Sequence, residues 1–118
     1  MKVTRFYTGT DNESHFDEVE VPCDHAENIQ HPDIMKVGGI FFRDTSQELF
    51  YHPSPFHPVS RRQYGIVLKG EMEIGMGDGS KRRFGPGDVF LAEDTTGRGH
   101  AIQSLTEGVL RILFIPLE

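Results

Sequence analysis

From His57 to Tyr64 the chain contains four residues that we select as candidates for a functional site: His57, Arg61, Gln63 and Tyr64. An imidazole such as that of His57 changes its protonation near neutral pH, which suits general acid or base catalysis. The guanidinium of Arg61 can bind a carboxylate or a phosphate through two parallel hydrogen bonds. Gln63 and Tyr64 add an amide and a phenol that can orient a ligand. This segment therefore predicts a small-molecule site, with an anion as one candidate ligand.

The directions of these side chains depend on whether the segment is extended. Alternate residues of a strand share a face, so His57, Arg61 and Gln63 would point one way. Tyr64 would then point the other way. A guanidinium inside the protein has to be paired, either with a ligand anion or with a carboxylate of the Glu93–Asp94 pair. The alternative is an irregular segment whose arginines pair with acids at the surface.

The composition excludes several classes of protein. Eighteen acidic residues against twelve basic ones give the 118-residue chain a net charge of −6, without runs of Lys or Arg. That balance argues against a nucleic-acid binder. The longest apolar run is interrupted by Arg111, and nothing approaches the about 20 apolar residues that a membrane span requires. A single cysteine, Cys23, rules out an internal disulfide. With no signal-peptide pattern at the N-terminus, we expect a cytoplasmic protein with no nucleic-acid or membrane partner.

Glycine and proline divide the chain into short segments. Thirteen Gly and seven Pro leave little room for long helices, and the intervening residues follow β patterns. A loop is predicted from Cys23 to Asp33, where Cys23, His25 and His31 match no standard zinc spacing. Thr45–Phe50 has room for one helical turn. The remaining segments predict an all-β domain, a sandwich or a closed barrel, with strands at Val3–Tyr7, Phe16–Val21, Lys36–Arg43 (with a bulge at Gly38–Gly39), Gln63–Leu68, Glu71–Met76, Lys81–Phe84, Val89–Ala92, His100–Ser104 and Val109–Ile115.

The second half of the chain resembles a known family. Its order is strand, Gly70, strand, an Asp-Gly turn at Asp78–Gly79, strand, the Gly85–Asp88 turn, strand, and the ending Gly97–His100. This order resembles the double-stranded β-helix of the cupin superfamily (RmlC-like), a jelly-roll barrel. Four further segments are similar to those of small bacterial-type single-cupin proteins: Arg5–Gly9, Glu13–Phe16, Arg61–Tyr64 and Glu93–Gly97.

The resemblance also implies a domain organisation. Residues 1–118 would form a single cupin domain whose core barrel covers about residues 36–116. The N-terminal strands, within residues 2–21, would cover an edge of the barrel or of a partner subunit. Because exposed strand edges invite pairing, we expect a homodimer.

Metal ligands are implied by the resemblance as well. The first cupin motif has two His and a Glu ahead of a closing Gly. Placing that Gly at Gly70 puts the imidazole positions at His57 and Val59 and the carboxylate position at Gln63. The His of the second motif corresponds to His100. The implied ligands of one divalent transition metal (Fe, Mn, Ni or Zn) are therefore His57, Gln63 and His100. Because Val59 has no donor and Gln63 is neutral, a metal-free barrel remains an alternative.

Three functions follow from these residues and this resemblance. The first is a small-molecule enzyme (isomerase, cyclase, lyase or dioxygenase) with His57 and His100 as metal ligands or as general acid and base. The second is a non-catalytic protein that binds or senses a small anion through Arg61 and Gln63. The third is a degenerate cupin that acts through its surface as a structural or interaction protein. The sequence identifies neither a substrate nor a reaction.

Overall fold

The computed structural model describes residues 1–23 and 34–118. Of the three residues compared above with zinc sites, His25 and His31 lie outside the described residues. Cys23 is exposed.

Short strands dominate the described chain, and the all-β prediction is confirmed. Within residues 1–23 and 34–118 there is one helix, which is one turn long, overlaps the Thr45–Phe50 segment predicted to have room for a turn, and ends one residue beyond it. In chain order the elements are β1 (Lys2–Thr8), β2 (Ser14–Glu20), β3 (Phe41–Asp44), α1 (Glu48–Tyr51), β4 (Gln63–Lys69), β5 (Met72–Gly75), β6 (Lys81–Phe84), β7 (Val89–Ala92), β8 (Ala101–Ser104) and β9 (Arg111–Pro116).

The strands form two sheets, and the jelly-roll fold predicted from the sequence is confirmed. One sheet has six strands in the order β2-β1-β7-β4-β9-β3, and the other has three in the order β6-β5-β8. Strand β1 runs parallel to β7, whereas all other neighbouring strands are antiparallel. The N-terminal hairpin thus extends the larger sheet of its own chain.

Alternating side chains assign each sheet an inner and an outer face. In β5, Met72 and Ile74 are buried, whereas Glu73 lies on the other face and forms ion pairs with Lys81 and Arg83. The inner faces enclose a core in which aromatic rings stack and meet edge to face. Its buried members are Phe6, Val67, Met72, Ile74, Met76, Phe84, Phe90, Ala92, Leu110, Ile112 and Phe114.

A second, smaller cluster covers the outer face of the larger sheet. Val3, Val21 and Leu91 are buried there, with Tyr64 packed against them. Because Tyr64 follows Gln63 in β4, the two side chains lie on opposite faces of the sheet. This separation decides which residues of β4 can reach the space between the sheets.

Two segments are less extended than the sequence pattern indicates. The strand predicted over Lys36–Arg43 reduces to one bridge at Val37 and the four residues of β3. Gly39, with a φ of 137°, interrupts the extended backbone between them. The stretch of residues 57–62 forms only an isolated bridge at His57, so alternation along it fails.

Among the described residues, no helix is long and apolar enough to cross a membrane.

Gly99 allows the chain segments that carry two of the candidate histidines to meet. It has a φ of 82°, and a Cβ at this position would overlap the carbonyl group of His57. Gly79 has a similar φ of 90°, but a Cβ there would meet no atom within 4 Å. Gly79→Ala and Gly99→Ala therefore impose the same kind of backbone strain, and only the second adds a collision.

We expect Gly79→Ala to lower the free energy of unfolding by about 1–2 kcal/mol, from backbone strain alone. We expect Gly99→Ala to lower it by at least about 3 kcal/mol, because backbone atoms of His57 must also move. Urea denaturation of both variants measures the difference. Equal losses would mean that the close approach at Gly99 contributes nothing to stability.

Candidate functional site

A cavity of about 420 Å³ lies between the two sheets. Its walls are mostly apolar, and its polar groups are few. Such a cavity is typical of small-molecule sites, whose volumes usually lie between about 300 and 1,000 Å³. The described lining residues are Phe6, Arg43, Thr45, Leu49, Ser54, His57, Pro58, Val59, Ser60, Gln63, Met72, Ile74, Phe90, Ala92, His100, Ile102, Ile112 and Phe114.

Backbone hydrogen bonds bring the two candidate histidines together. The amide of His57 donates to the carbonyl of His100 at 2.9 Å, and the amide of His100 donates to the carbonyl of His57 at 3.0 Å. The ring centroids lie 5.0 Å apart, at an interplanar angle of 49°. His57 and His100 are 43 positions apart in the sequence, and this bridge places both imidazoles in the wall of one cavity.

A buried carboxylate fixes the orientation of His100. Nδ1 of His100 donates to Oδ2 of Asp94 at 2.6 Å, and the hydroxyl of Ser14 donates to the same oxygen at 2.6 Å. Asp94 is 0 % exposed and His100 is 6 % exposed. Because Nδ1 carries the hydrogen, Nε2 of the neutral ring has a free lone pair. No hydrogen bond from residues 1–23 or 34–118 reaches that Nε2.

His57 has the same tautomer for a different reason. Its Nδ1 donates to the carbonyl of Pro55 at 2.9 Å, so Nε2 of the neutral ring is again the acceptor. Unlike His100, His57 is exposed. The cavity wall thus holds two imidazoles with free Nε2 lone pairs, one buried and held by a carboxylate, the other open to solvent.

Gln63 presents an amide without a partner. It is the first residue of β4, is 8 % exposed, and lines the cavity. No hydrogen bond joins its side chain to the described part of the protein, although buried amides are nearly always paired. Its donor and acceptor are therefore available to a ligand in the cavity.

The structure places Arg61 outside the cavity, contrary to the expectation from alternation, and places Tyr64 on the opposite face of β4 from Gln63, as alternation predicts. Neither residue is among those lining the cavity. Arg61 is exposed, because residues 57–62 do not alternate as a strand does. Tyr64 faces the outer cluster, where burial, followed by the charge of Glu93, raises the pKa of its phenol. The geometry therefore gives neither residue a contact with a cavity ligand.

The carboxylates that the sequence offered to Arg61 have other partners. Glu93 pairs with Arg62 and, at 3.4 Å, with Arg5, while Asp94 holds His100. This arrangement agrees with the alternative that arginines of the segment pair with acids outside the cavity, as Arg62 does.

The sequence analysis did not assign the observed roles of three residues at the site. Asp94 and Ser14 form the support of His100, and Arg43 brings a guanidinium to the cavity. Asp94 was recognised only as a possible partner of an arginine, and its spacing of six residues from His100 is the one local signal of its role. Ser14 and Arg43 reach the site through strand pairing between distant segments, which leaves no local pattern.

The sequence profile of one family, described as a cupin domain, matches residues 47–116, more than half of the chain. The chain belongs to the cupin family. The matched residues include α1 and β4 to β9 and carry His57, Gln63, Asp94 and His100. The recognition of a small cupin from sequence is thus confirmed. No curated protein matches this cupin.

Solved structures similar to this cupin share little of its sequence. Protein NMB1881 from Neisseria meningitidis is 15 % identical, with 76 % of this chain and 87 % of that chain covered and a TM-score of 0.47. The Schizosaccharomyces pombe Cnp3 cupin domain is 13 % identical, with coverages of 99 % and 84 % and a TM-score of 0.46. The conserved SPY1581 protein of unknown function from Streptococcus pyogenes is 13 % identical, with coverages of 84 % and 96 % and a TM-score of 0.44.

The donors in this cupin do not fit a tightly held metal ion. Within the described chain, no group of three or more His, Cys, Asp and Glu side chains is placed to hold one. The cavity offers the imidazoles of His57 and His100 and the neutral amide of Gln63, while Val59 lines the wall with no donor atom. The carboxylate of Asp94 is engaged behind His100. Divalent Fe and Mn favour sites that include a carboxylate, so two imidazoles and an amide form a weak site.

The hydrogen bonds of the imidazoles predict their tautomers. With neutral rings, nitrogen NMR should find the hydrogen on Nδ1 in both His57 and His100. His15 is the internal control, because its Nε2 lies 2.9 Å from Oδ2 of Asp11 and should carry the hydrogen. Spectra of His57→Ala and His100→Ala assign the signals. A hydrogen on Nε2 of His100 would contradict the arrangement with Asp94.

Proposed function

We propose that this cupin is a small-molecule enzyme that moves a proton within its cavity, as isomerases, cyclases and lyases do, with His100 as the general base. The observation that carries the proposal is the hydrogen bond from Nδ1 of buried His100 to buried Asp94. A carboxylate in that position fixes the tautomer and stabilises the imidazolium that forms when Nε2 accepts a proton. Asp94 is therefore a positioning residue.

Each group of the site has one task in the proposed reaction. Nε2 of His100 accepts a proton from a substrate in the cavity, and the resulting imidazolium returns that proton to another atom of the substrate or to a leaving group. The cavity surrounds the substrate with apolar side chains, which strengthens the interaction between the imidazolium and the developing negative charge. His57, exposed and 5.0 Å from His100 between ring centroids, can exchange protons with solvent.

Hydrogen exchange tests this proposal before the net reaction is known. Small carbonyl compounds that raise the melting temperature of the protein are incubated with it in D₂O, and NMR follows the replacement of hydrogen on carbon. We expect exchange in the wild type and a loss of about 10²- to 10⁴-fold in His100→Ala, the usual contribution of a general base. Asp94→Asn should also exchange more slowly while it still binds the compounds.

A second histidine provides the matched control. His52 is exposed and does not line the cavity, so His52→Ala should exchange at the wild-type rate. Exchange that is unchanged in His100→Ala would contradict the proposal. Binding without exchange for every compound would instead support the alternative of a non-catalytic binding or sensing protein. Failure to bind any compound would favour a cupin that acts through its surface.

A resident divalent metal (Fe, Mn, Ni or Zn) held by His57, Gln63 and His100 is a separate proposal, which the donor set supports weakly. We expect elemental analysis of protein purified without chelator or affinity metal to find well below one equivalent of any of these metals. The control is the His57→Ala/His100→Ala double variant, which should give the same result. Near-stoichiometric metal that is lost in the double variant would overturn this expectation and would return oxygenase chemistry to consideration.

Homodimer formation is likewise a proposal, and it rests on the edges of the larger sheet. Strands β2 and β3 are the edges, and each has an unpaired side in the described chain. Phe42 and Ile40 near the β3 edge are 62 % and 60 % exposed. Exposed edges with large apolar side chains favour association between chains.

A further inference from the structure

We propose that the ligand of the cavity is a small carboxylate with an apolar body, and that Arg43 binds its carboxylate group. This inference rests on the proposed function, because it names the class of substrate for that same site. The sequence analysis gave the role of anion-binding cation to Arg61, and the structure favours Arg43, 18 positions earlier in the chain.

The pairing of β3 with β9 places Arg43 at the cavity. In that register Arg43 lies opposite Ile112 and Phe41 lies opposite Phe114. The centre of the guanidinium is 5.5 Å from the centroid of the Phe41 ring and 5.8 Å from that of Phe114. Ile112 and Phe114 both line the cavity, as Arg43 itself does. Arg43 is exposed, and its contacts with the two rings keep the guanidinium at the solvent-open side of the cavity.

Arg43 has no carboxylate partner among the described residues. Its neighbour Asp44 lies on the opposite face of β3 and is bound by Arg111 through two hydrogen bonds, at 2.7 and 2.9 Å. The hydrogen bonds from Arg111 lower the pKa of Asp44. Asp44 therefore stays ionised and paired with Arg111, and it does not neutralise Arg43. All five donor hydrogens of the Arg43 guanidinium are thus available to a ligand.

The charges of the described cavity wall favour an anion. The chain as a whole has a net charge of −6, yet no Asp or Glu is found among the described lining residues. The wall has Arg43 as its permanent charge, together with the imidazoles of His57 and His100. A single guanidinium matches one carboxylate, which it can bind through two parallel hydrogen bonds.

The amide of Gln63 gives the ligand a second polar contact. Gln63 lines the cavity and its amide has no partner in the described chain, so a ligand that displaces water from this amide has to supply a new hydrogen bond. A carbonyl or hydroxyl group on the ligand can pair with this amide.

The remaining walls determine the body of the ligand. Aromatic and aliphatic side chains surround the space, among them Phe6, Phe90, Met72, Ile74 and Ile102. A ligand made only of charged and polar atoms would lose its hydration against these apolar side chains without gaining hydrogen bonds. An aromatic or branched aliphatic body would instead remove its own apolar surface and that of the wall from water. A cavity of about 420 Å³ is near the lower end of small-molecule sites, which limits the ligand to a small acid.

Three related probes separate these contributions in calorimetric binding experiments. The first is 3-phenylpropanoate, which has both the carboxylate and the apolar body. The second, 3-phenylpropanamide, has the same shape without the charge, and the third, propanoate, lacks the ring. We expect 3-phenylpropanoate to bind at least 10-fold more tightly than either of the others.

Three arginine variants locate the anion. Arg43→Gln should weaken the binding of 3-phenylpropanoate by about 10- to 100-fold and leave that of the amide unchanged, because a hydrogen bond to a charged group is lost. Arg61→Gln is the matched control and should bind as the wild type does. Arg43→Lys, which retains the charge without the two-pronged geometry, should lie between them. Circular dichroism and urea denaturation establish that each variant is folded.

The outcomes also separate this inference from the proposed reaction. The inference is overturned if 3-phenylpropanoate does not bind at millimolar concentration, if the amide binds equally well, or if Arg43→Gln binds 3-phenylpropanoate as tightly as the wild type does. In His100→Ala the binding of 3-phenylpropanoate should persist even though hydrogen exchange of the carbonyl compounds is lost. Arg43-dependent binding of 3-phenylpropanoate, with no exchange of any carbonyl compound in the wild type, supports the ligand class and contradicts only the reaction.

Discussion

The buried carboxylate of Asp94 is the constraint on which the site depends. Asp94 connects three parts of the chain. Its Oδ2 accepts hydrogen bonds from Ser14, at the start of β2, and from His100. Its backbone carbonyl accepts a hydrogen bond from the amide of Val59 at 3.0 Å. Its other oxygen, Oδ1, is buried without a partner in the described chain. Removing a partner from a buried charge of this kind typically costs about 3–5 kcal/mol. The N-terminal hairpin therefore contributes to the site in two ways: Phe6 of β1 lines the cavity, and Ser14 of β2 supplies the hydroxyl that helps to hold Asp94 behind His100.

The polar groups of the cavity are difficult to explain by stability alone. The amide of Gln63 has no partner in the described chain, and an apolar side chain at that position would pack against the apolar wall without needing one. The space itself also forgoes packing contacts that a filled core would make. On the outer face of the same sheet, Val3, Val21 and Leu91 pack with Tyr64 into a small apolar cluster. Two imidazoles and an unpaired amide in an otherwise apolar cavity favour a binding role for the inner face over a purely structural domain.

The sequence predicted the fold better than it predicted the site, and the difference has a physical cause. Strands β4 to β7 follow from alternation and turn residues, which are local signals; the Asp-Gly turn before β6 is one example. His57, Gln63 and His100 were predicted as site residues because they occupy motif positions, and the structure places all three in the wall of one cavity. Arg61 was misplaced because alternation was extended across residues 57–62, where Pro58 and an isolated bridge interrupt the strand. Arg43 reaches the cavity only through its register with Ile112, and single-sequence patterns do not encode such long-range pairing.

The two proposals depend on each other through charge. A substrate that is already a carboxylate would become a dianion on losing a proton, in an apolar cavity close to the buried charge of Asp94. The effective dielectric constant there is lower than in water, so that second negative charge would be strongly opposed. Arg43 offsets the first charge at its own end of the substrate, and the proton held on His100 offsets the second. The acid–base group and the guanidinium thus have complementary roles, and the absence of acidic side chains from the described lining means that no other negative charge in the wall opposes the reaction.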